Sequence, residues 1–304
     1  MNQLIAEDGT VKEGFVERGL VFVIIVLPFV GLIYVTVMTY KNGVSIFYPF
    51  LAVMMYILTG LGITIGFHRL FTHESFKTYK SVKLLFAILG TMAVQGRLII
   101  WCARHHMHHQ NSDNEGDPHS PWRYGTTPWA IFRGFWWAHI GWIFSAKRPV
   151  KNSCQTRLAN DFVTNIIDRT AILWVFVSMG IPMLAGYVYE HSSHGVWQGF
   201  LWGFLVRLFV VQHFTWSINS WCHIWGKRNF NTKDNSKDSL LWTVCGLGEG
   251  AHNSHHAFPR SPQHAILHEW LDISYLVIKL LQKLNLVWDL KTPTSEEIRQ
   301  ARVK

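Results

Sequence analysis

Ten of the 17 histidines lie in four short groups. "HRLFTH" holds His68 and His73, and "RHHMHHQNSD" holds His105, His106, His108 and His109. "NSWCH" holds Asn219 and His223, and "HNSHH" holds His252, His255 and His256. Burying imidazole without partners is costly, whereas neutral imidazole is the common ligand of zinc, copper, iron and nickel. An α-helix turns about 100° per residue, so positions i, i+3 and i+4 share a face. On that spacing His105, His108 and His109 are expected to aim at one point beside their helix, and His252, His255 and His256 at another. His106 is also three residues from His109, so spacing leaves His105 and His106 as rivals. His68 and His73 stand about 140° apart on an α-helix. They would diverge toward two different ions, or sit where the helix unwinds. Eight or nine imidazoles exceed what one tetrahedral or octahedral ion can use, which predicts two metal ions.

The neighbours of these histidines narrow the chemistry. Zinc hydrolases pair two histidines with a base as H-E-x-x-H, and neither "HES" nor "HEW" has the second histidine. Di-iron carboxylate bundles need two E-x-x-H units and two more glutamates; only Glu249 to His252 fits, inside the last group. A nearly all-imidazole pair suits oxygen chemistry. No catalytic residue is expected apart from the metal ligands, and no organic cofactor site. Glu249 and Asp117 are expected to orient imidazoles through their free N–H groups. His119 and His139 are read as supporting residues, and His191 and His194 as ordinary exposed ones.

The elements that must position these groups are apolar. The chain of 304 residues is 49% hydrophobic and 15% charged, with 15 Trp and a formal charge of +9. Four segments, 20–38, 46–67, 171–189 and 196–216, are long enough to span a bilayer, which takes about 20 helical residues. Long apolar spans argue against nucleic acid as the partner of the basic charge and for anionic lipid or an acidic carrier on the substrate. The stretch 82–101 is interrupted by Gln95 and Arg97 and reads as a helix in the interface or packed on the bundle. Of the 28 Lys and Arg, 26 lie before the first span, in 68–170 or in 217–304. The positive-inside rule places those segments and both termini in the cytoplasm, together with every histidine group. The N-terminus does not read as a cleaved signal peptide, and the four cysteines form no C-x-x-C pair and read as free thiols. One domain follows: a segment 1–19, a hairpin 20–67, a cap portion 68–170, a hairpin 171–216, and a cap portion with tail 217–304.

With "GITIGFHRLFTH", "ARHHMHHQNSDNEGDPHS", "NSWCH" and "GEGAHNSHHAFP" in this order, the chain resembles the membrane fatty-acyl desaturases of the stearoyl-CoA delta-9 type. The resemblance runs from about residue 50 to 285. It implies an all-α integral membrane fold, four transmembrane helices under a cytoplasmic helical cap with a di-iron site. It further implies two iron ions held by His68, His73, His105, His108, His109, His223, His252, His255 and His256, with Asn219 contacting metal through water and His106 a bystander. The implied reaction uses dioxygen and two electrons to place a cis double bond in a saturated acyl chain held in an apolar tunnel. Trp101, Trp216 and the second span are expected to line it.

Arg104, Lys147 and Arg148 are candidate headgroup contacts. Animal acyl-CoA enzymes of this type carry Arg-Asp before the second histidine group, where this chain has Ala103-Arg104. The carrier is therefore open among acyl-CoA, acyl-lipid and acyl-carrier protein. No haem, dinucleotide or iron–sulfur motif is present, so a ferredoxin, a haem cytochrome or a flavoprotein reductase must supply electrons. A form without a fused haem domain implies a bacterial inner membrane. The rival enzyme reading is a membrane di-iron hydroxylase of alkyl chains. The rival from another class is a metal transporter, which needs histidines along the spans, and only His213 is clearly embedded there.

Overall fold

The computed structural model describes residues 11–12, 15–144, 147–148 and 152–303, and its architecture is almost wholly helical. Four helices are long and apolar enough to cross a membrane: Gly19–Asn42, Phe47–Thr72, Ala171–Glu190 and Ser193–His223. They overlap the four expected spans, and the second and fourth continue past the expected ends to Thr72 and His223. The first and third are the outer pair. Leu20, Phe22 and Phe29 on the first, and Ile172, Phe176 and Leu184 on the third, are more than half exposed. Apolar belts of this kind are stable against lipid, not water.

The second span changes pitch as it leaves the bundle. Gly62–Thr72 is π-helical: Thr72 Oγ1 donates to Phe67 O at 2.7 Å and the His73 amide to His68 O at 3.2 Å, each five residues back. This segment packs backbone to backbone on the helix Lys80–Thr91. A Cβ built on Gly62 would lie 2.1 Å from the Gly90 nitrogen, so only glycine permits the approach.

The stretch 82–101, expected as one helix, is two: Lys80–Thr91 and Leu98–Asn111. The polar residues that interrupt its hydropathy make the break. Arg207, fully buried in the fourth span, donates to Met92 O at 3.0 Å and so caps the first helix. Asp168 receives the Ile99 amide at 3.0 Å and pairs with Arg97, which starts the second. Gln95 donates to Thr215 Oγ1 at 2.8 Å and tethers the turn to the fourth span.

Short helices complete the cap, among them Pro128–His139, Leu240–Cys245, His252–Ala257 and Ile273–Lys283. Two antiparallel pairs of two-residue strands, Lys77–Thr78 with Val287–Trp288 and Val11–Lys12 with Lys147–Arg148, are small additions to an all-helical fold. All four cysteines are free, and Cys102, Cys154 and Cys222 are buried.

Candidate metal centre

The histidines meet where the second span, the helix Leu98–Asn111, the end of the fourth span and the helix His252–Ala257 converge. They form two adjoining groups. His68, His73, His105, His109 and His255 make one, and His108, His223, His252 and His256 make the other. The His109 and His256 rings, one from each group, stack at 4.5 Å.

Two expectations from α-helical spacing are corrected by this arrangement. Of the two alternatives for His68 and His73, divergence toward two ions is overturned and departure from α-helical winding is what the structure has: they join one group, because a π-turn brings residues five apart onto one face. The i, i+3, i+4 triplets do not each aim at one point. His105 and His109 face the first group and His108 the second; His255 faces the first, and His252 and His256 the second. Each triplet straddles the boundary between groups, so the shared face of its helix is split between two centres. His106 points away, 3.5 Å from Ser153 Oγ.

Within the groups Nε2 faces Nε2: His68 to His255 at 3.0 Å, His73 to His105 at 3.1 Å, His105 to His109 at 3.0 Å, His109 to His255 at 2.9 Å, His223 to His252 at 3.0 Å and His108 to His256 at 3.4 Å. Four of the nine opposite ring nitrogens are held by carboxylates, while His252 Nδ1 and His255 Nδ1 are buried without a partner. His108 Nδ1 donates to Asp117 at 3.0 Å, His223 Nδ1 to Asp113 at 3.0 Å, His256 Nδ1 to Asp234 at 2.6 Å, and His68 Nδ1 to Glu249. A neutral imidazole that donates from Nδ1 has a bare lone pair on Nε2. Lone pairs aimed at one another in a buried place repel unless a cation lies among them. Nitrogens about 2.0–2.1 Å from one ion are about 2.9 Å apart at octahedral angles and about 3.3–3.4 Å at tetrahedral ones. The observed separations fall in that range, so the donor set fits two metal ions.

Burial, then the neighbouring imidazoles, lowers His105, His109, His252 and His255 well below the ordinary value of 6.5. His256 falls to about 4 through burial, although Asp234 works the other way. These rings are neutral at pH 7, the form that binds metal. Burial would raise Asp117 and Asp234, but His108 and His256 beside them hold both carboxyls far below the usual range.

Glu249 and Asp117 stand where orienting carboxylates were expected. Asp113, Asp234 and His264 were not singled out from sequence. Asp113 follows the second histidine group by only four residues, which is a usable signal; Asp234 lies in a loop with no pattern to mark it. Glu249 also takes a guanidinium bond from buried Arg69, whose Nη2 reaches Asp272 at 3.0 Å. His264 is buried with its ring 4.2 Å from that of His255. The His119 ring lies tilted beside that of His108 at 4.4 Å, and His139 bonds Ser220 and His213 away from the centre.

Two cavities meet at the centre and share Trp101, His105, Thr215 and Asn219. The inner one is lined by Tyr56, Gly60, Phe214 and Leu247 as well as by His68, His252 and Glu249. The outer one runs past Trp216 to Arg97, Arg104 and Trp142, with Val21, Ile24 and Ile25 of the first span on its other side. The Arg104 guanidinium lies 5.3 Å from the Trp142 ring. Lys147 and Arg148 lie on a strand beside residues 11–12, and their side chains fall outside the described residues.

Comparison with known proteins follows this geometry. The family model described as Fatty acid desaturase matches residues 44–270. The chain is 34% identical over 280 residues to a hex-5-enoyl-[acyl-carrier protein] acetylenase of Moorena producens, covering 91% of this chain and 87% of that one. It is 35% identical over 245 residues to an sn-1 stearoyl-lipid 9-desaturase of Anabaena variabilis, covering 79% and 82%. It is 35% identical over 251 residues to an icosanoyl-CoA 5-desaturase of Limnanthes douglasii, covering 80% and 65%.

Proposed function

The chain belongs to the fatty acid desaturase family, and we propose that it forms a cis double bond at the delta-9 position of a saturated acyl chain. It is an integral membrane, oxygen-dependent oxidoreductase. In the proposed reaction one acyl chain, one dioxygen, two electrons and two protons give one alkene and two waters. The observation that carries this reading is the pair of converging imidazole groups beside two cavities that share Trp101, His105, Thr215 and Asn219.

We assign the nine histidines His68, His73, His105, His108, His109, His223, His252, His255 and His256 as ligands of two iron ions, with Asn219 contacting metal through water. When bound, such a pair supplies the redox chemistry that reduces dioxygen while two hydrogens leave neighbouring carbons. The protein's own contribution is placement. Trp101 Nε1 donates to Gln95 Oε1 at 3.2 Å, and Gln95 holds Thr215, so the wall where the cavities meet is fixed by hydrogen bonds. A chain passing from the outer to the inner cavity lies beside His105 and Asn219. The Tyr56 hydroxyl donates to Cys245 O and sets the inner end. Carboxylates behind four of the rings fix their tautomers and orientation.

The delta-9 position rests on the stearoyl-lipid relative. The other two relatives act on acyl-carrier protein and CoA substrates by name, so the carrier class is open among acyl-lipid, acyl-CoA and acyl-carrier protein. Arg104, Lys147 and Arg148 are the proposed headgroup contacts. We place the cap and both termini in the cytoplasm of a bacterial inner membrane, where an external one-electron donor (ferredoxin, haem cytochrome or flavoprotein reductase) reaches it. Incubating the purified protein with stearoyl substrates on each carrier, reductant and oxygen tests the reading. A cis-9 alkene is expected; an alcohol would instead favour the alkyl hydroxylase.

A further inference from the structure

The loop after the fourth span lies over the histidine centre, and its exposed side is basic. Lys227, Arg228 and Lys233 are exposed on it. The C-terminal segment lies alongside: the Asn231 amide donates to Ala301 O at 2.8 Å, the Val303 amide to Asn229 O at 3.1 Å, and Phe230 bridges Arg302. That brings exposed Arg299 and Arg302 onto the same face. Of the nearby acids, Glu296 is paired with Arg299, and Glu297 caps the helix Ser295–Ala301.

The underside of this loop is part of the metal centre. Asp234, next to Lys233, is buried and accepts from His256 Nδ1 at 2.6 Å. The Asn235 amide donates at 2.7 Å to the Asp113 oxygen that holds His223. Asn253, between His252 and Ser254, accepts the Asn229 and Phe230 amides at 2.8 and 2.7 Å. One residue therefore separates the basic surface from a hydrogen bond to a ligand of the His108, His223, His252, His256 group.

We propose that the face formed by Lys227, Arg228, Lys233 and Arg302 docks an acidic one-electron carrier protein, and that electrons enter through the group containing His256. This rests on the desaturase reading, which requires two electrons per turnover and for which the chain carries no redox cofactor motif of its own. Each docking oxidises the carrier's reduced centre by one electron, and two dockings supply one turnover. Charge complementarity is the recognition term, so association is steered and weakened by salt.

The test uses the full chain in nanodiscs of neutral phosphatidylcholine. The probes are a plant-type [2Fe–2S] ferredoxin and a soluble b-type cytochrome domain, both acidic. Binding is measured by biolayer interferometry across ionic strength, and alkene yield is measured with each carrier and, separately, with dithionite. The variant K227E/K233E/R302E leaves Arg228, whose guanidinium bonds Thr232 O and braces the turn. The variant is expected to weaken carrier binding at least about tenfold and to flatten its salt dependence, with dithionite-driven yield unchanged. The milder K227Q/K233Q is expected to lie between, and guards against misfolding. Carrier binding that is absent from the parent, or equal in parent and variant, overturns the proposal. So does a loss that appears only when anionic lipid is added, which would make the face a lipid contact. No alkene from the parent with dithionite would overturn the functional reading instead.

Discussion

His223 Nδ1 lies 3.0 Å from Asp113 Oδ2, and that same oxygen receives the Asn235 amide at 2.7 Å. The carboxylate thus fixes the tautomer that leaves His223 Nε2 free for metal, and joins it to a loop far along the chain. Asp113→Asn keeps the shape and removes the charge. It is expected to weaken metal retention by about 10–100-fold in a chelator competition, with helical circular dichroism unchanged. Retention equal to the parent would contradict the role.

The contact between Gly62 and Gly90 has no room for a side chain. Gly62→Val must push the π-helical segment off the helix Lys80–Thr91. The expected cost exceeds the about 1–3 kcal/mol of ordinary overpacking, read as a lowered Tm in detergent. Because His68 and His73 ride on this segment, metal content should fall with it. A variant of normal Tm would mean the two backbones do not meet as described.

Arg69 is fully buried between Asp272 and Glu249. Arg69→Met leaves two carboxylates without their cation, a change that costs about 3–5 kcal/mol. Thermal unfolding of the purified variant measures it. A loss under about 1 kcal/mol would show that the pair is not buried.

Tyr56 lines the inner cavity and is proposed to set its end, and each additional buried methylene is worth about 0.8 kcal/mol. Tyr56→Ala should raise kcat/KM for a chain two carbons longer than the preferred one by roughly tenfold relative to the parent. Competition between saturated chains of graded length reads this directly; an unchanged ratio removes Tyr56 from the channel end.

The spans, the cap and the histidine-rich segments were legible in the sequence because hydropathy and residue type are local properties, whereas the choice of His105 over His106 came from the family resemblance and not from spacing. The partition into two groups was not legible. It depends on a π-pitch between His68 and His73 that α-helical arithmetic cannot supply, and on His105 and His108 facing opposite sides of a boundary that exists only after folding. Gln95 and Arg97 were visible as interruptions in 82–101, but their meaning required partners at Thr215 and Asp168. Asp234 and His264 carry no local pattern at all; each matters through a histidine distant in sequence or held by tertiary packing.

The central claim is that nine imidazoles hold two redox-active ions beside the cavities that take the acyl chain. Metal analysis of purified protein, with alkene formation measured on the same sample, tests it most directly. The account predicts about two irons per chain, loss of both iron and alkene in His255→Ala, and retention of both in His106→Ala. A single zinc per chain, or iron content unaffected by His255→Ala, would contradict it.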